Sequence, residues 1–430
     1  MDVSWIRCMK PELTRFLNRF KDCFNRKDTR AHMPVYVQGQ LSNLDRKSVE
    51  PIALAAGVPV RTLQEFLAQH KWNEDALRDR LQEMVGQERG SERTVGVFDE
   101  TSDLKKGDKT PGVQRQWCGK VGKTDNCLVT VHLALAQDDF HCLLDGELFL
   151  PESWSEDRER CREAGIPDEM VYRPKWEIAV ELYDRAIGNG VVFEWVTFDE
   201  GYGSKGPFLR ALNERNQLFI GEVPTTMTGW LGKPKLDHPP SNPKRGRPNP
   251  KRGRPQKGPR VSKETPKAQP LHQLLESKKL QRQSWERYRV KDGDKGPMVW
   301  EVKHVMIYRP EGKSVSSKRW HLLVARNALN PEEIKYFLSN APASTSVQKL
   351  LLVAFSRWHV ERCFQDQKQD IGLDAWEGRK YLGLKRHLIL SSVSYLFLTL
   401  MREKLGGKNV RIHRIPDSRR RIGTRAELVA

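Results

Sequence analysis

The spacing of hydrophobic and polar positions changes character several times along the chain. Residues 10–90 are dominated by the three- to four-residue periodicity of amphipathic helices. Two short amphipathic segments within them flank the break Gly57-Val58-Pro59, a spacing that suits a helix-turn-helix. The pattern therefore predicts a helical N-terminal region over residues 1–90.

Short apolar runs typical of β-strands replace the helical periodicity from residue 91. The runs "RTVGVFDETS", "CLVTVHLALA" and "FHCLLDGELFLP" predict three consecutive strands, and "KWEIAVELYDRAIGNG" predicts a helix after them. A strand in "VVFEWVTFDEGYG", a helix in "KGPFLRALNERN" and a strand in "QLFIGEV" follow. This order predicts an α/β fold, with a mixed sheet flanked by helices, whose first part covers residues 91–223.

The alternation breaks between residues 224 and 345. Residues 233–260 hold ten Lys or Arg, one Asp and eight Pro, a composition that cannot bury a core. Strand-like runs return in "MVWEVKHVMIYR" and "RWHLLVARNAL", so we expect a β-rich insertion that contains a basic loop. Helical periodicity resumes over 346–405, with a final helix near 385–404, and a basic tail covers 406–430.

The net charge indicates what kind of partner the protein binds, and the cysteines indicate the cellular compartment. The 430 residues include 74 Lys and Arg against 55 Asp and Glu, a formal net charge of +19, which would attract a polyanion such as nucleic acid. The longest apolar run, "LILSSVSYLFLTLM", is too short to span a bilayer and predicts a buried helix. Charges interrupt the N-terminus where a signal peptide needs an apolar segment. The seven scattered cysteines contain no C-x-x-C pair, which favours a reducing, cytoplasmic location without a zinc site or disulfides.

Three carboxylates stand at the ends of predicted elements. Asp99 and Asp199 each end a predicted strand, and Glu361 lies on a predicted helix. Singly, each has an ordinary explanation as a turn residue, a cap or an ion-pair partner. Two carboxylates that end adjacent strands can come close to a third carboxylate on a helix that packs against the sheet. Because three clustered carboxylates repel one another, cations must neutralise them, and Mg²⁺ or Mn²⁺ suits oxygen ligands. Two such ions can promote in-line displacement at a phosphodiester, and the basic surface makes DNA the substrate to expect.

Two cations accompany the third carboxylate. Arg357, Glu361 and Lys368 are separated by four and seven residues, which on one continuous helix places them on one face. Arg357 and Lys368 could then hold the phosphates of a DNA end. The alternative is a charged helix face that only contacts water.

These segments resemble the DDE transposases of bacterial insertion sequences, in the group with a Tyr/Arg/Glu/Lys signature. "RWHVERCFQDQKQDIGLDAWEGRKYLGLKRHL" is similar to the Glu-bearing helix of that family, and "GVFDETS" and "VTFDEGYG" to its two Asp segments. The resemblance implies an RNase H-like core and a cut-and-paste reaction with Mg²⁺. It assigns Asp99, Asp199 and Glu361 to the metal-binding triad and Arg357 and Lys368 to the signature cations. Ala354 stands where the signature has Tyr.

The resemblance also implies partners and leaves alternatives. Terminal inverted repeats and target DNA would be the partners, with at least a dimer in the synaptic complex. The segment 61–70 either enters the major groove or only packs against protein. A displaced base could stack on Trp285, Trp300 or Trp320, although tryptophans of a β-rich module usually belong to its core. Three readings compete with the transposase: a non-catalytic DNA-binding descendant, a metal-dependent nuclease without strand transfer, and a lipid-bound peripheral protein.

The basic loop contains a repeated peptide. "KRGRPNPKRGRP" at 244–255 repeats Lys-Arg-Gly-Arg-Pro and resembles the AT-hook, which lies in the minor groove of A·T-rich DNA. Its candidate DNA-binding residues are Arg245, Arg247, Arg252 and Arg254. The alternative is a solvated cationic linker with non-specific affinity for phosphates.

Overall fold

The structure is a computed structural model that describes residues 3–237, 259–293 and 296–405. Arg245, Arg247, Arg252 and Arg254 of the repeated basic peptide lie outside the described residues, so their assignment to DNA stays a prediction.

Runs of helices and runs of strands follow one another along the described chain. The helices are α1 Val3–Asn18, α2 Lys27–Leu41, α3 Val49–Ala55, α4 Val60–Ala68, α5 Glu74–Arg89, α6 Glu152–Glu156, α7 Arg158–Glu163, α8 Lys175–Gly188, α9 Glu200–Gly203, α10 Gly206–Glu214, α11 Leu271–Leu275, α12 Lys278–Gln281, α13 Val347–Phe355, α14 Trp358–Asp366 and α15 Tyr381–Lys404. The strands are β1 Val95–Leu104, β2 Gln114–Cys118, β3 Lys123–Gln137, β4 Phe140–Leu148, β5 Trp195–Phe198, β6 Ile220–Val223, β7 Thr228–Gly229, β8 Leu236–Asp237, β9 Arg260–Val261, β10 Gln269–Pro270, β11 Glu286–Gly293, β12 Gly296–Ile307, β13 Pro310–Glu311, β14 Ser314–Val315, β15 Trp320–Asn327 and β16 Ile334–Ser339. The predicted α/β class is confirmed.

The chain folds as two compact units. Unit 1 comprises Met1–Thr94, Asp99–Val192 and His359–Ala430, and unit 2 comprises Val95–Phe98 and Phe193–Trp358. The five segments expected from the sequence, with boundaries after residues 90, 223, 345 and 405, remain a prediction.

The N-terminal part of unit 1 is helical, as its periodicity predicts. The expected break between α3 and α4 is present, and Gly57 takes the left-handed φ of +66° that glycine tolerates best. The start of α5 is capped by Asn73, whose side chain accepts a hydrogen bond of 2.9 Å from the backbone N–H of Ala76. Glu74 and Asp75 in the first turn complement the helix dipole.

The sheet of unit 1 is built around β3, which pairs antiparallel with β2 and β4 and is the neighbour of β1. Residues 127–136 of β3 are buried on both faces, as expected for a central strand. The three predicted strands correspond to β1, β3 and β4. The short edge strand β2 was not predicted, because its sequence "QRQWC" is mostly polar.

Helix α15 forms the central helical element of unit 1. It is buried along most of its length and packs against β4 and the N-terminal helices. This confirms that the apolar run at 388–401 is a buried helix. Among the described helices, none combines the length and hydrophobicity that a bilayer crossing requires. Six cysteines are buried free thiols: Cys23, Cys118, Cys127, Cys142, Cys161 and Cys363.

Unit 2 contains a five-stranded sheet in the order β11-β12-β15-β16-β6. The strands predicted at "MVWEVKHVMIYR" and "RWHLLVARNAL" are β12 and β15, which pair antiparallel. β6 belongs to the segment expected to form the α/β core, yet it pairs antiparallel with β16 from Tyr336↔Val223 to Ser339↔Ile220. The segment predicted to be a β-rich insertion and this predicted core strand therefore share one sheet.

Candidate active site

Two parallel strands of unit 2 lead to the two predicted catalytic aspartates. The first residues of β1 pair with β5 in parallel, and the register ends at Phe98↔Phe198. Both phenylalanines are buried, and their ring centroids lie 5.5 and 5.0 Å from that of Phe208 on α10. Asp199 directly follows β5, as predicted, whereas β1 continues through Asp99 to Leu104, so the prediction that Asp99 ends a strand is wrong.

Asp99 is buried within β1. Its side chain is 8% exposed, and Oδ1 accepts a hydrogen bond of 2.8 Å from the backbone N–H of Glu100. The neighbouring Glu100 forms an ion pair with Lys175 of α8, with 2.6 Å between Oε1 and Nζ. Glu100 is thus engaged elsewhere in unit 1, which agrees with leaving it out of the candidate site.

Asp199 is the N-cap of α9. Its Oδ1 accepts a hydrogen bond of 3.2 Å from the backbone N–H of Tyr202, which satisfies one of the free donors of the first helical turn. A Cβ added at Gly201 would lie 3.1 and 3.5 Å from the two carboxylate oxygens of Asp199. Glycine at 201 therefore leaves open the space beside this carboxylate.

Close packing against β6 fixes the position of α9. A Cβ added at Gly203 would lie 1.8 Å from the backbone carbonyl oxygen of Glu222. Backbone atoms cannot give way as the end of a flexible side chain can, so only glycine fits at 203 without moving α9.

Replacing Gly203 by alanine should therefore lower the free energy of unfolding by about 1–3 kcal/mol, the usual cost of overpacking. Urea denaturation followed by circular dichroism measures the change. Gly206→Ala is the matched control, because a Cβ at 206 meets no atom within 4 Å. Equal stability of the two variants would contradict the close approach of α9 and β6.

The segment around Glu361 is not the one continuous helix on which the predicted common face depends. Helix α13 ends at Phe355, and Arg357 lies in the turn before α14. Glu361 is exposed in the first turn of α14. Lys368 lies in a π-helical turn, Gln367–Ile371, which ends at Gly372 with a φ of +81°. Arg357 therefore lies outside the helix that carries Glu361, and Lys368 lies beyond the α-helical turns of α14.

Lys368 contacts the strand that carries Asp99. Its Nζ donates a hydrogen bond of 3.3 Å to the carbonyl oxygen of Ser102, in the part of β1 that belongs to unit 1. Burial lowers the pKa of Lys368, and the nearby carboxylate of Asp374 opposes that shift. The ammonium is therefore held beside β1 by a specific contact, unlike a charge on a solvated helix face.

Lys47 holds the π-helical turn from the N-terminal helical region. Its buried Nζ donates to the carbonyl oxygens of Gln40, at 2.7 Å, and of Asp370. Burial lowers the pKa of Lys47 to about 8. A Cβ at Gly372 would lie 2.6 Å from the Cβ of Lys47, so the glycine that ends the turn also makes room for this lysine.

The remaining candidates take different positions. Ala354 is buried on α13, where the family signature has Tyr. Trp300 and Trp320 are buried in unit 2 and are core residues. Trp285 is partly exposed, and Arg326 lies over its ring with 4.2 Å between the guanidinium carbon and the ring centroid.

Across the described ranges, no three His, Cys, Asp or Glu side chains form a group that could hold a metal ion.

Comparison with known proteins gives the class of the chain. The profile of the DDE superfamily endonucleases matches residues 19–297, so the chain belongs to this family. The matched region includes Asp99 and Asp199 and ends before Glu361. The resemblance to DDE enzymes noted from the sequence is thereby confirmed.

One curated relative is similar over part of the chain. It is the probable transposase for insertion sequence element IS701 of Microchaete diplosiphon, 36% identical over 186 residues. The alignment covers 42% of this chain and 46% of the relative, so the chain spans about half the length of the curated protein it matches.

Proposed function

We propose that the chain is a DNA transposase with an RNase H-like core, which cleaves DNA at the ends of an insertion sequence and joins the freed 3′-OH to target DNA. Cleavage and joining are the same displacement at phosphorus with water or a 3′-OH as the nucleophile. The substrates would be the terminal inverted repeats and a target duplex. Membership of the DDE family and the similarity to a probable transposase support this proposal.

The main structural support is the parallel register of β1 and β5. Phe98 and Phe198 are paired residues of neighbouring strands, and such strands lie roughly 5 Å apart. Asp99 and Asp199 are the residues that follow this last pair along the chain. This shared position in the sequence supports assigning both of them to the acidic triad.

The carboxylates suit a hard divalent cation such as Mg²⁺, for which Mn²⁺ could substitute. Glycine at 201 keeps a Cβ from lying 3.1 and 3.5 Å from the two oxygens of Asp199. Mg²⁺ is commonly held by one or two carboxylates together with substrate phosphates and water, so a closed three-ligand group in the protein alone is not required. When bound, two such ions would supply Lewis-acid activation of the nucleophile and stabilisation of the leaving oxygen.

The other signature residues would act on the DNA and on the site. Glu361, exposed at the start of α14, would complete the acidic triad. Lys368, held at Ser102 of β1, would contact a phosphate close to the scissile one, and Arg357 would contact a second phosphate. Because two element ends must be brought together, we expect at least two copies of the chain in the active complex.

The helix pair α3 and α4 would contact the element ends. Arg61, Gln64 and Gln69 are exposed on or next to α4, and polar side chains of this length reach base edges and phosphates in the major groove. The opposite face of α4 is buried through Leu63, Phe66 and Leu67. One face thus anchors the helix while the other remains available to DNA.

The reaction itself tests the proposal. The full chain would be incubated with DNA that carries the terminal repeats flanking its coding region, Mg²⁺ and a supercoiled target. We expect cleavage at the repeats and products joined to the target. Cleavage without joining would favour a nuclease, and binding without either reaction would favour a non-catalytic DNA-binding protein.

A further inference from the structure

A β-hairpin of unit 1 exposes a tryptophan that the sequence did not mark as functional. Strands β2 and β3 pair antiparallel from Gln114↔Cys127 to Cys118↔Lys123. Trp117 lies on β2 and is 60% exposed. Arg115, two residues earlier, is also exposed, and residues i and i+2 of a strand lie on the same face.

The segment around this tryptophan has an excess of positive charge. Residues 103–125 contain six basic residues and three acidic residues: Lys105, Lys106, Lys109, Arg115, Lys120 and Lys123 against Asp103, Asp108 and Asp125. Several of these cations have acidic neighbours, but the pair Lys123–Asp125 is 3.6 Å long and exposed. Such a pair contributes little stability in water, so a phosphate could replace the Asp125 carboxylate at Lys123 at little cost. Lys105, by contrast, is held in a largely buried pair with Asp103.

Protection of the sheet edge does not explain the tryptophan. β2 is the edge strand of the order β2-β3-β1, and lysines on edge strands discourage pairing with other chains. An exposed indole has the opposite effect, because it adds apolar surface to that edge. The exposed indole therefore suits a binding partner with a flat apolar face, and the nearby cations favour a partner that is anionic.

The hairpin also lies beside a residue of the proposed active site. The backbone N–H of Lys120, in the hairpin turn, donates to Oγ of Ser102 at 3.2 Å. The carbonyl oxygen of the same serine accepts from Lys368 Nζ at 3.3 Å. Ser102 is three residues after Asp99 on β1, which is roughly 10 Å of extended strand.

We propose that this hairpin binds unpaired DNA, with Trp117 stacking on an exposed base and Arg115 contacting the adjoining phosphate. Paired bases hide their faces inside the duplex, whereas proteins that hold single strands combine cations with aromatic stacking platforms. The choice of DNA as the nucleic acid rests on the proposed function. Within that function, the hairpin would hold the strand that separates from its partner next to the cut.

Binding of labelled oligonucleotides to the full chain tests this inference. Fluorescence anisotropy in EDTA, which prevents metal-dependent cleavage, would compare a single-stranded oligonucleotide with the matching duplex. Trp117→Ala should weaken single-strand binding about tenfold, within the range for loss of one stacked base, and leave duplex binding within about twofold. Trp117→Tyr should retain most of the affinity, because tyrosine also stacks.

Two further variants separate stacking from general surface effects. Leu329→Ala removes an apolar side chain that is 92% exposed and should leave single-strand affinity unchanged. Arg115→Ala should reduce the slope of log affinity against log salt concentration by about 0.7, the value for one phosphate of a single strand. Unchanged single-strand affinity in Trp117→Ala, or an equal loss for duplex and single strand, would overturn the inference.

The binding test of the hairpin and the cleavage test of the proposed function can fail independently of each other. A chain that cleaves and joins DNA but whose Trp117→Ala variant binds single strands normally would retain the function and lose the inference. If the chain does not cleave DNA but its Trp117→Ala variant selectively loses affinity for single strands, the inference is retained and the proposed function is lost.

Discussion

Replacing Asp199 by asparagine is expected to abolish DNA cleavage and leave DNA binding close to wild type. The asparagine side-chain oxygen can still accept the hydrogen bond from Tyr202 that caps α9, so the local fold is retained. The negative charge that would hold a divalent cation is lost. A loss of about 4 kcal/mol of metal-assisted stabilisation corresponds to a cleavage rate about a thousandfold lower.

Single-turnover cleavage and an electrophoretic binding assay measure the two effects separately. Glu200→Gln is the matched control, since it removes an exposed carboxylate next to Asp199 and should cleave normally. Chelation of divalent cations should reproduce the cleavage defect in the wild-type protein. Cleavage by Asp199→Asn at the wild-type rate would exclude a metal-binding role for this residue.

Arg386→Leu should cause a large loss of stability in unit 1. Arg386 is 3% exposed on α15. Its guanidinium donates to the carbonyl oxygens of Phe66, Leu67, His70 and Trp72 and to the carboxylate of Glu74. Burial lowers the pKa of Arg386, and the ion pair with Glu74 opposes that shift.

Leucine would fill part of the volume but leave these acceptors and the carboxylate without their donor. Breaking a buried pair by removing one partner costs about 3–5 kcal/mol. Native-state hydrogen exchange of the α4 amides measures the loss directly. Arg61→Ala on α4 is the control, because it removes only the exposed ion pair with Glu65 and should leave the exchange rates of the α4 amides unchanged. A comparable effect of the two variants would contradict the central role of Arg386.

The sequence was most informative where local pattern determines structure. The N-terminal helices, the break at Gly57 and the strands β1, β3, β4 and β5 follow from periodicity and turn residues. The end of β5 could be identified because its apolar run ends in Asp199, whereas the same signal at Asp99 was misleading, since β1 continues to Leu104. These signals are local, and no distant contact is needed to interpret them.

The segment from Arg357 to Lys368 could not be predicted because tertiary contacts decide it. A continuous helical period predicts one helix, yet the chain turns before Trp358 and widens into a π-helical turn after Asp366. Lys47, more than three hundred residues away, fixes the end of that turn through the carbonyl oxygen of Asp370. Trp117 was missed for a related reason: nothing in "QRQWC" distinguishes an exposed edge position from a buried one.

The shared sheet of unit 2 limits how this protein could be shortened. β6 has its antiparallel partner, β16, in the segment that looks like a removable insertion. A deletion of residues 224–345 would strip β6 of that partner and leave its backbone donors and acceptors open to another chain. A minimal version would therefore have to keep β16 or replace it with a strand of the same register, and chimeras between related enzymes should exchange β6 together with β16.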